Sequence, residues 1–410
     1  MDLISQMPKM LSGDDINEAL KVFPPYDESI INTPITDRLM ALDNIYRLYV
    51  PTQLSLEIYA KFYISIVRGL REKDSMDAIR QRNQNFRMIK QMNGQGIISG
   101  ADSFTVIGAS GIGKTSAIAK AVELSTAGKI LEDNETGCKI IPCIQTTCPF
   151  DCSVKNLLFE VLRQIDAEIG TNYFDRAVRA RATTDIMIGS VSTALLNHVA
   201  VLVIDEIQNI VNHRAGNSLI GVLTQLINNS GITVVMVGIP ESEAFFQKTD
   251  YLARRSVGLR FEKPEYDDSF INFCRIAYGY QYTKTAELFD EKICQWLYQH
   301  SDFGTYALVI ALLHDAQEIA ILNGCDCLSI ATLEEAYKKR YRIVQGNKAK
   351  ACVGTQSGKG TKKGTTLPIQ DTIIPTVITY SDTIKGAKEM DDDMVKRLKA
   401  KFPILEVVVC

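Results

Sequence analysis

The chain has 410 residues, 46% of them apolar, and a formal charge of −3, which gives material for two or three buried cores and no global basic field to draw in nucleic acid. No run of about eighteen uncharged apolar residues occurs, and the opening MDLISQMPKM lacks the basic-then-apolar order of a secretion signal; the expected place is therefore the cytoplasm, away from any membrane. Ten cysteines fit that compartment as free thiols, and the spacing of Cys138, Cys143, Cys148 and Cys152 is unlike a repeated CxxC pair, so these are expected as buried or loop thiols rather than metal ligands.

Residues 1–95 read as a helical N-terminal extension, with Leu39, Leu42, Ile45, Tyr46 and Tyr49 at helical spacing, a second helix over Leu56 to Leu70 and a basic stretch from Met76 to Met92. At Gly94-Gln95-Gly96 the pattern changes. Ser103 to Ile107 is a β-rich run that ends in Gly108-Ala109-Ser110-Gly111-Ile112-Gly113-Lys114-Thr115, and Ser116 continues into an amphipathic helix from Lys114 to Thr126. Further β runs at Lys139 to Thr146, Val199 to Ile204, Ile232 to Val237 and Val257 to Phe261 alternate with helices such as Val154 to Glu168 and Leu219 to Asn228. That alternation predicts an α/β core over residues 96–263 with a parallel five-stranded sheet covered by helices.

After Lys263-Pro264 the β signal stops. Asp267 to Gly279, Asp290 to Ser301, Tyr306 to Leu322 and Ile330 to Ile343 read as helices, a small domain over residues 264–344. Residues 345–366 carry Gly, Lys, Thr and Ser without an acidic group and are expected as a flexible basic linker. Residues 367–410 hold two short apolar pieces, expected as a partner-docking tail.

The glycine loop between strand and helix is the phosphate-binding loop: its backbone N–H groups face phosphate, Lys114 reaches the β- and γ-phosphates, and Thr115 holds magnesium. Val201 to Ile204 then form a strand buried on both faces, and Asp205-Glu206 emerge where α/β sheets bind ligands. Asp205 is expected in the magnesium shell and Glu206 beside the attacking water. ATP and Mg2+ are the implied cofactors.

A helical domain after such a core resembles the lid of AAA+ ATPases, in which a neighbouring subunit completes the site with an arginine; Arg255, with Arg254 as the alternative, stands just before the last core strand. The loop GASGIGKT, the segment Thr147-Cys148-Pro149-Phe150-Asp151 followed by Gly170-Thr171-Asn172-Tyr173, the run Asp205-Glu206-Ile207-Gln208 and Val237-Gly238-Ile239-Pro240-Glu241 together resemble the TnsC/TniB family of AAA+ transposition regulators, some of them CRISPR-associated. The resemblance covers roughly residues 30 to 340. It implies ATP hydrolysis, a homo-oligomeric ring or helical filament on double-stranded DNA, and a link between a target-selector protein of the TniQ/TnsD kind and transposase subunits. Hydrolysis is expected to be slow and regulatory because of two departures from the AAA+ pattern.

Candidate backbone contacts to DNA are Lys129, Lys139, Arg176, Arg179 and Arg181. Two positions depart from the AAA+ pattern: Ile239 stands where a polar residue orients water, with Glu241 or Ser242 as the nearest replacements, and Gly304-Thr305-Tyr306 stands where many lids place an arginine. The competing readings are a helicase-loader or replication-initiator ATPase and a signalling NTPase that recruits proteins without DNA.

Overall fold

A computed structural model describes residues 3–74, 103–133, 137–151, 153–211, 216–243, 258–285 and 287–351. The basic stretch from Met76 to Met92, Arg254 and Arg255, the rest of the expected linker and the whole expected tail lie outside these residues. Contacts divide the chain into two units, Met1–Lys348 and Ala349–Cys410, and the fold is that of the first.

Among the described residues, six strands form the central sheet in the order β2-β3-β4-β5-β1-β6. These are β1 (Phe104–Gly108), β2 (Leu131–Asp133), β3 (Cys138–Thr147), β4 (Val199–Asp205), β5 (Thr233–Gly238) and β6 (Leu259–Phe261). The five expected strands pair in parallel, and β2 adds an antiparallel edge through Leu131↔Ile140 and Asp133↔Cys138. At three residues, β2 is too short to leave a periodic signal, and only pairing across a hairpin makes it a strand.

Every residue of β1, β4 and β5 is buried, which is why these segments read as unbroken apolar runs. Buried core surrounds the sheet in two clusters, one containing Leu158, Leu162, Leu195 and Leu226, the other Phe62, Ile66, Phe104 and Ile118. Parallel strands send their C-terminal ends to one edge of the sheet, so β1 and β4 deliver the phosphate loop and the acidic pair to the same place.

The helices before and beside the sheet are α1 (Asp14–Leu20), α2 (Ile35–Leu42), α3 (Gln53–Asp74), α4 (Lys114–Thr126), α5 (Val154–Ile169), α6 (Tyr173–Arg179), α7 (Thr184–His198), α8 (Gln208–Val211) and α9 (Gly216–Ser230). The Leu39 to Tyr49 spacing does not become one helix. Helix α2 ends at Leu42, a 3-10 turn follows over Asp43–Arg47, and Tyr49 is extended, pairing with Val22.

The segment around Gly170-Thr171-Asn172-Tyr173 has a mechanical explanation. Gly170 ends α5 in the left-handed region at φ 74°, and Asp166, one turn earlier, reaches forward over the break. Its carboxylate accepts from Thr171 Oγ1 at 2.6 Å, from Tyr173 N at 2.9 Å and from Phe174 N at 2.7 Å. One carboxylate therefore satisfies the first free N–H groups of α6, which has no cap of its own at Asn172.

The lid consists of α10 (Asp268–Tyr278), α11 (Glu291–His300), α12 (Tyr306–Asn323) and α13 (Ile330–Ala351). Asp267 and Asp290 cap α10 and α11 through Phe270 N and Ile293 N. Helix α12 is long and apolar enough to cross a membrane by length and composition, yet more than half of it is buried in the lid, where Val309, Leu312, Leu313 and Ala316 are inaccessible. Helix α13 continues to Ala351, beyond the Ile343 end expected, because the Asn-Lys-Ala-Lys-Ala run after Gly346 consists largely of good helix formers.

Asp166→Ala removes the acceptor of all three bonds and should lower stability by about 1–2 kcal/mol, read by urea unfolding. An unchanged midpoint would mean that water replaces the carboxylate without loss.

Candidate nucleotide site

The sheet edge carries a cavity of about 450 Å³ bounded by Ser110 to Ser116, by Asp205 and Glu206, and by Gly238 and Ile239. Its floor is the glycine loop. Gly111 (φ 79°) and Gly113 (φ 94°) both lie in the left-handed region, which lets the loop curl before α4 begins at Lys114. No side chain caps α4, so its first N–H groups point into the cavity with the positive end of the helix dipole behind them.

Lys114 is almost buried, and its Nζ donates to the carbonyls of Gly108 at 2.7 Å and Ala109 at 2.8 Å. Desolvation pulls its pKa below the ordinary lysine value, and Asp205 and Glu206 partly oppose that shift. Thr115 Oγ1 donates to Asp205 Oδ2 at 2.8 Å, so the two expected magnesium holders are already in contact. A hydroxyl and a carboxylate oxygen are the hard donors that Mg2+ takes, and the residues fit it.

Asp205 Oδ1 also accepts from Glu206 N at 2.7 Å. Glu206 has φ 58°, a left-handed conformation that costs a side-chain-bearing residue about 1–2 kcal/mol. The turn swings its exposed carboxylate off the strand axis, where Gln208 Nε2 hydrogen-bonds it.

The lid closes the cavity directly. Ala307 N donates to Gly111 O at 3.1 Å, and Tyr306, Ala307 and Ile310 line the space together with Phe273. Among the lining residues Lys114 is the only basic side chain, so the lid brings no arginine here. Ile239 lines the cavity, but neither expected replacement does: Glu241 is exposed, and Ser242 is fully buried behind Gly238, whose added Cβ would meet its Oγ at 2.6 Å. The position at which a polar, water-orienting residue is expected is thus apolar in this fold.

One wall was not foreseen. Tyr46, Tyr49, Val50, Thr52 and Ser55 line the cavity from the N-terminal extension. They carry no motif, and only the path of the chain brings them there.

The basic candidates lie elsewhere. Lys129, Lys139, Arg176, Arg179 and Arg181 are all exposed. Lys139 is near the start of β3, the sheet edge opposite the phosphate loop, and α6 joins it there through Tyr173 Oη–His198 Nε2 at 3.1 Å and His198 Nδ1 to Lys139 O at 2.9 Å. Of the four clustered thiols, Cys138 and Cys148 are buried, burial pushes the Cys143 pKa up to about 12, and Cys152 lies outside the described residues.

Residues 87–265 match the family model described as bacterial TniB protein. Over these residues, rather less than half of the chain, the protein is similar to that family. The match takes in the phosphate loop, Asp205 and Glu206, and it ends ahead of α10. The TniB-type core with its helical lid is an AAA+ P-loop ATPase fold. No curated protein matches the chain. Among solved structures, the Aeropyrum pernix Orc1 protein in complex with DNA is similar at 14% identity and TM-score 0.43, with 67% of each chain covered. A katanin structure solved for its self-assembly is similar at 14% identity and TM-score 0.36, covering 77% of this chain and 92% of that one.

Glu206→Gly should raise the unfolding temperature of the nucleotide-free protein, since glycine relieves the left-handed strain, while ATP hydrolysis falls. A lowered or equal temperature would show that the carboxylate contributes more to the fold than its backbone costs.

Proposed function

We propose that this protein is an ATP-switched, sequence-independent DNA-binding regulator of transposition, which assembles on target DNA and links a target-selection protein to the transposase. The observation that carries this reading is a complete phosphate site in a TniB-type core, with Lys114 folded onto loop carbonyls and Thr115 held by Asp205. ATP would draw Lys114 from Gly108 and Ala109 to its β- and γ-phosphates, exchanging two neutral acceptors for charged ones. Thr115 and Asp205 would hold Mg2+, which neutralises phosphate charge when bound. Glu206 would orient and polarise the attacking water.

Two features favour slow, switch-like hydrolysis. Ile239 offers the water no hydrogen bond, and the lid supplies no cation to the transferring phosphate. The missing positive charge is assigned to Arg255, or Arg254, of a neighbouring subunit, which makes turnover depend on assembly. The exposed basic residues on β3 and α6 are proposed to follow the DNA backbone, so binding should weaken steeply with salt. Transposase, the TniQ/TnsD-like selector and a bacterial cytoplasmic setting follow from the same reading.

Lys114→Ala should abolish ATP binding and assembly on plain duplex DNA, whereas Glu206→Gln should bind ATP and remain on DNA with hydrolysis reduced about 10²-fold or more. Electron microscopy and phosphate release distinguish them. Wild-type turnover by Glu206→Gln removes its assigned role, and ATP-driven assembly without DNA favours the signalling alternative.

Mixing an Arg255→Ala variant with Lys114→Ala should restore part of the turnover, because each subunit supplies what the other lacks. Absence of rescue at every ratio, in mixtures shown to co-assemble, would remove the shared site and send the same test to Arg254.

A further inference from the structure

The N-terminal extension crosses between the two bodies of the ATPase. Leu3, Met7, Ile16 and Leu20 pack into the sheet core, and so do Ile58, Phe62 and Ile66 of α3. Leu42, Ile45 and Leu48, between them in sequence, are instead buried in the hydrophobic core of the lid. The entering and leaving segments meet at one point, where Val22 and Tyr49 exchange two backbone hydrogen bonds of 2.9 Å.

Residues 23–48 are fixed to the lid by polar contacts as well as packing. Arg38 is 0% exposed; it donates to Asp326 Oδ1 at 2.5 Å and Oδ2 at 3.1 Å, and to Tyr282 O at 3.1 Å. Tyr26 Oη donates to Gln281 O at 2.6 Å, and Tyr280 Oη donates to Pro24 O at 3.2 Å. The Tyr46 ring lies 4.7 Å from the His314 ring of α12, and His314 Nε2 meets Asp43 at 3.3 Å. This excursion ends in the residues that form the unforeseen cavity wall, from Tyr46 to Val50.

We propose that residues 23–48 are a structural part of the lid, and that the Arg38–Asp326 pair is a positioning device for nucleotide, seating the Tyr46–Val50 wall of the cavity. Arg38 lines no part of the cavity and acts only through that wall. A fork donor gripping both oxygens of a carboxylate fixes direction as well as distance, and burial denies it water as a substitute partner. Val22 and Tyr49 then form the hinge on the N-terminal side, since the Tyr49 hydroxyl also holds Ser55 of the core-bound α3 at 2.7 Å. Lid movement accordingly carries residues 23–48 with it and leaves α1 and α3 behind.

The inference rests on nucleotide occupying the cavity, so the test includes a separate arm for that premise. Asp326→Asn keeps the side-chain shape and suits the left-handed backbone at φ 50°, but removes the charge and turns one of the two oxygens that accept from Arg38 into an amide donor. In the full-length protein, well below its unfolding temperature, it should weaken binding of a fluorescent ATP analogue about tenfold. Turnover at saturating ATP should change by less than about twofold, because the bound geometry at Glu206 is restored once nucleotide is in place. Arg38→Lys, which keeps the charge but loses the fork, should give an intermediate affinity, and it serves in its place if Asp326→Asn does not fold.

Hydrogen exchange on the wild type supplies a readout independent of substitution. A non-hydrolysable ATP analogue should change protection of Ile35–Leu42 in step with Tyr306–Asn323 and leave Asp14–Leu20 unchanged. Wild-type affinity in folded Asp326→Asn, or protection of Ile35–Leu42 that follows Asp14–Leu20, overturns the proposal. If Lys114→Ala binds the analogue as the wild type does, the nucleotide reading of the cavity fails. If Lys114→Ala loses binding while Asp326→Asn keeps it, the positioning role alone fails.

Discussion

The constraint on which the rest of the site depends is the contact of the lid with the phosphate loop at Gly111. Ala307 N donates to its carbonyl at 3.1 Å, and a Cβ at Gly111 would lie 2.7 Å from Thr305 Cγ2. The loop that must curl around phosphate is therefore also the surface on which α12 begins. Three consecutive residues with left-handed backbone, Asp302, Phe303 and Gly304, turn the chain into that helix. Strain of this kind persists where the surroundings fix it, here through Lys263 Nζ–Asp302 Oδ2 at 2.7 Å and Gly304 N–Tyr298 O at 3.2 Å. A change in the loop has no slack through which to avoid the lid.

The acidic pair shows how the same edge is prepared for charge. Asp205 is buried, accepts from Thr115 and from the backbone of Glu206, and so has fixed directions for both oxygens. Glu206 is exposed and turned off the strand by its left-handed backbone. Adjacent carboxylates thus reach different environments, one locked and one presented. Lys114 lies between these acids and two loop carbonyls in a partly desolvated place, a position in which an incoming polyanion replaces weak acceptors with strong ones.

The arrangement of the remaining parts follows from sheet direction. Parallel strands send all their C-terminal ends to the nucleotide edge, so Lys139, near the start of β3, belongs to the far edge, and α6 is tied to it through His198. Nucleotide and the proposed DNA contacts are separated by the length of the strands, about 20–30 Å. Rigid strands transmit little by bending, and the lid, the phosphate loop and the N-terminal extension all meet at the nucleotide edge. Coupling between the two edges is accordingly best sought in the lid and in the proposed oligomer rather than within the sheet.

Local chemistry was legible in the sequence. The phosphate loop and Asp205-Glu206 announce themselves because phosphate binding needs glycine conformations and a helix start within a few residues, and because a strand buried on both faces reads as an apolar run. The boundaries of α5 and α10 follow from periodicity and caps, and the start of α4 from the glycine loop, for the same reason: the interactions that set them lie within one or two turns. Features made by one element folding back on another left no such mark. The β2 edge exists only by pairing with β3, Asp166 shows its purpose only when α6 folds back beneath it, and Tyr46 to Ser55 become a cavity wall only where the N-terminal extension packs against the lid, with Arg38 meeting Asp326, 288 residues away. Sequence determined which groups could hold phosphate and metal; tertiary structure decided what encloses them, because enclosure is made by distant segments whose side chains carry no motif until they touch.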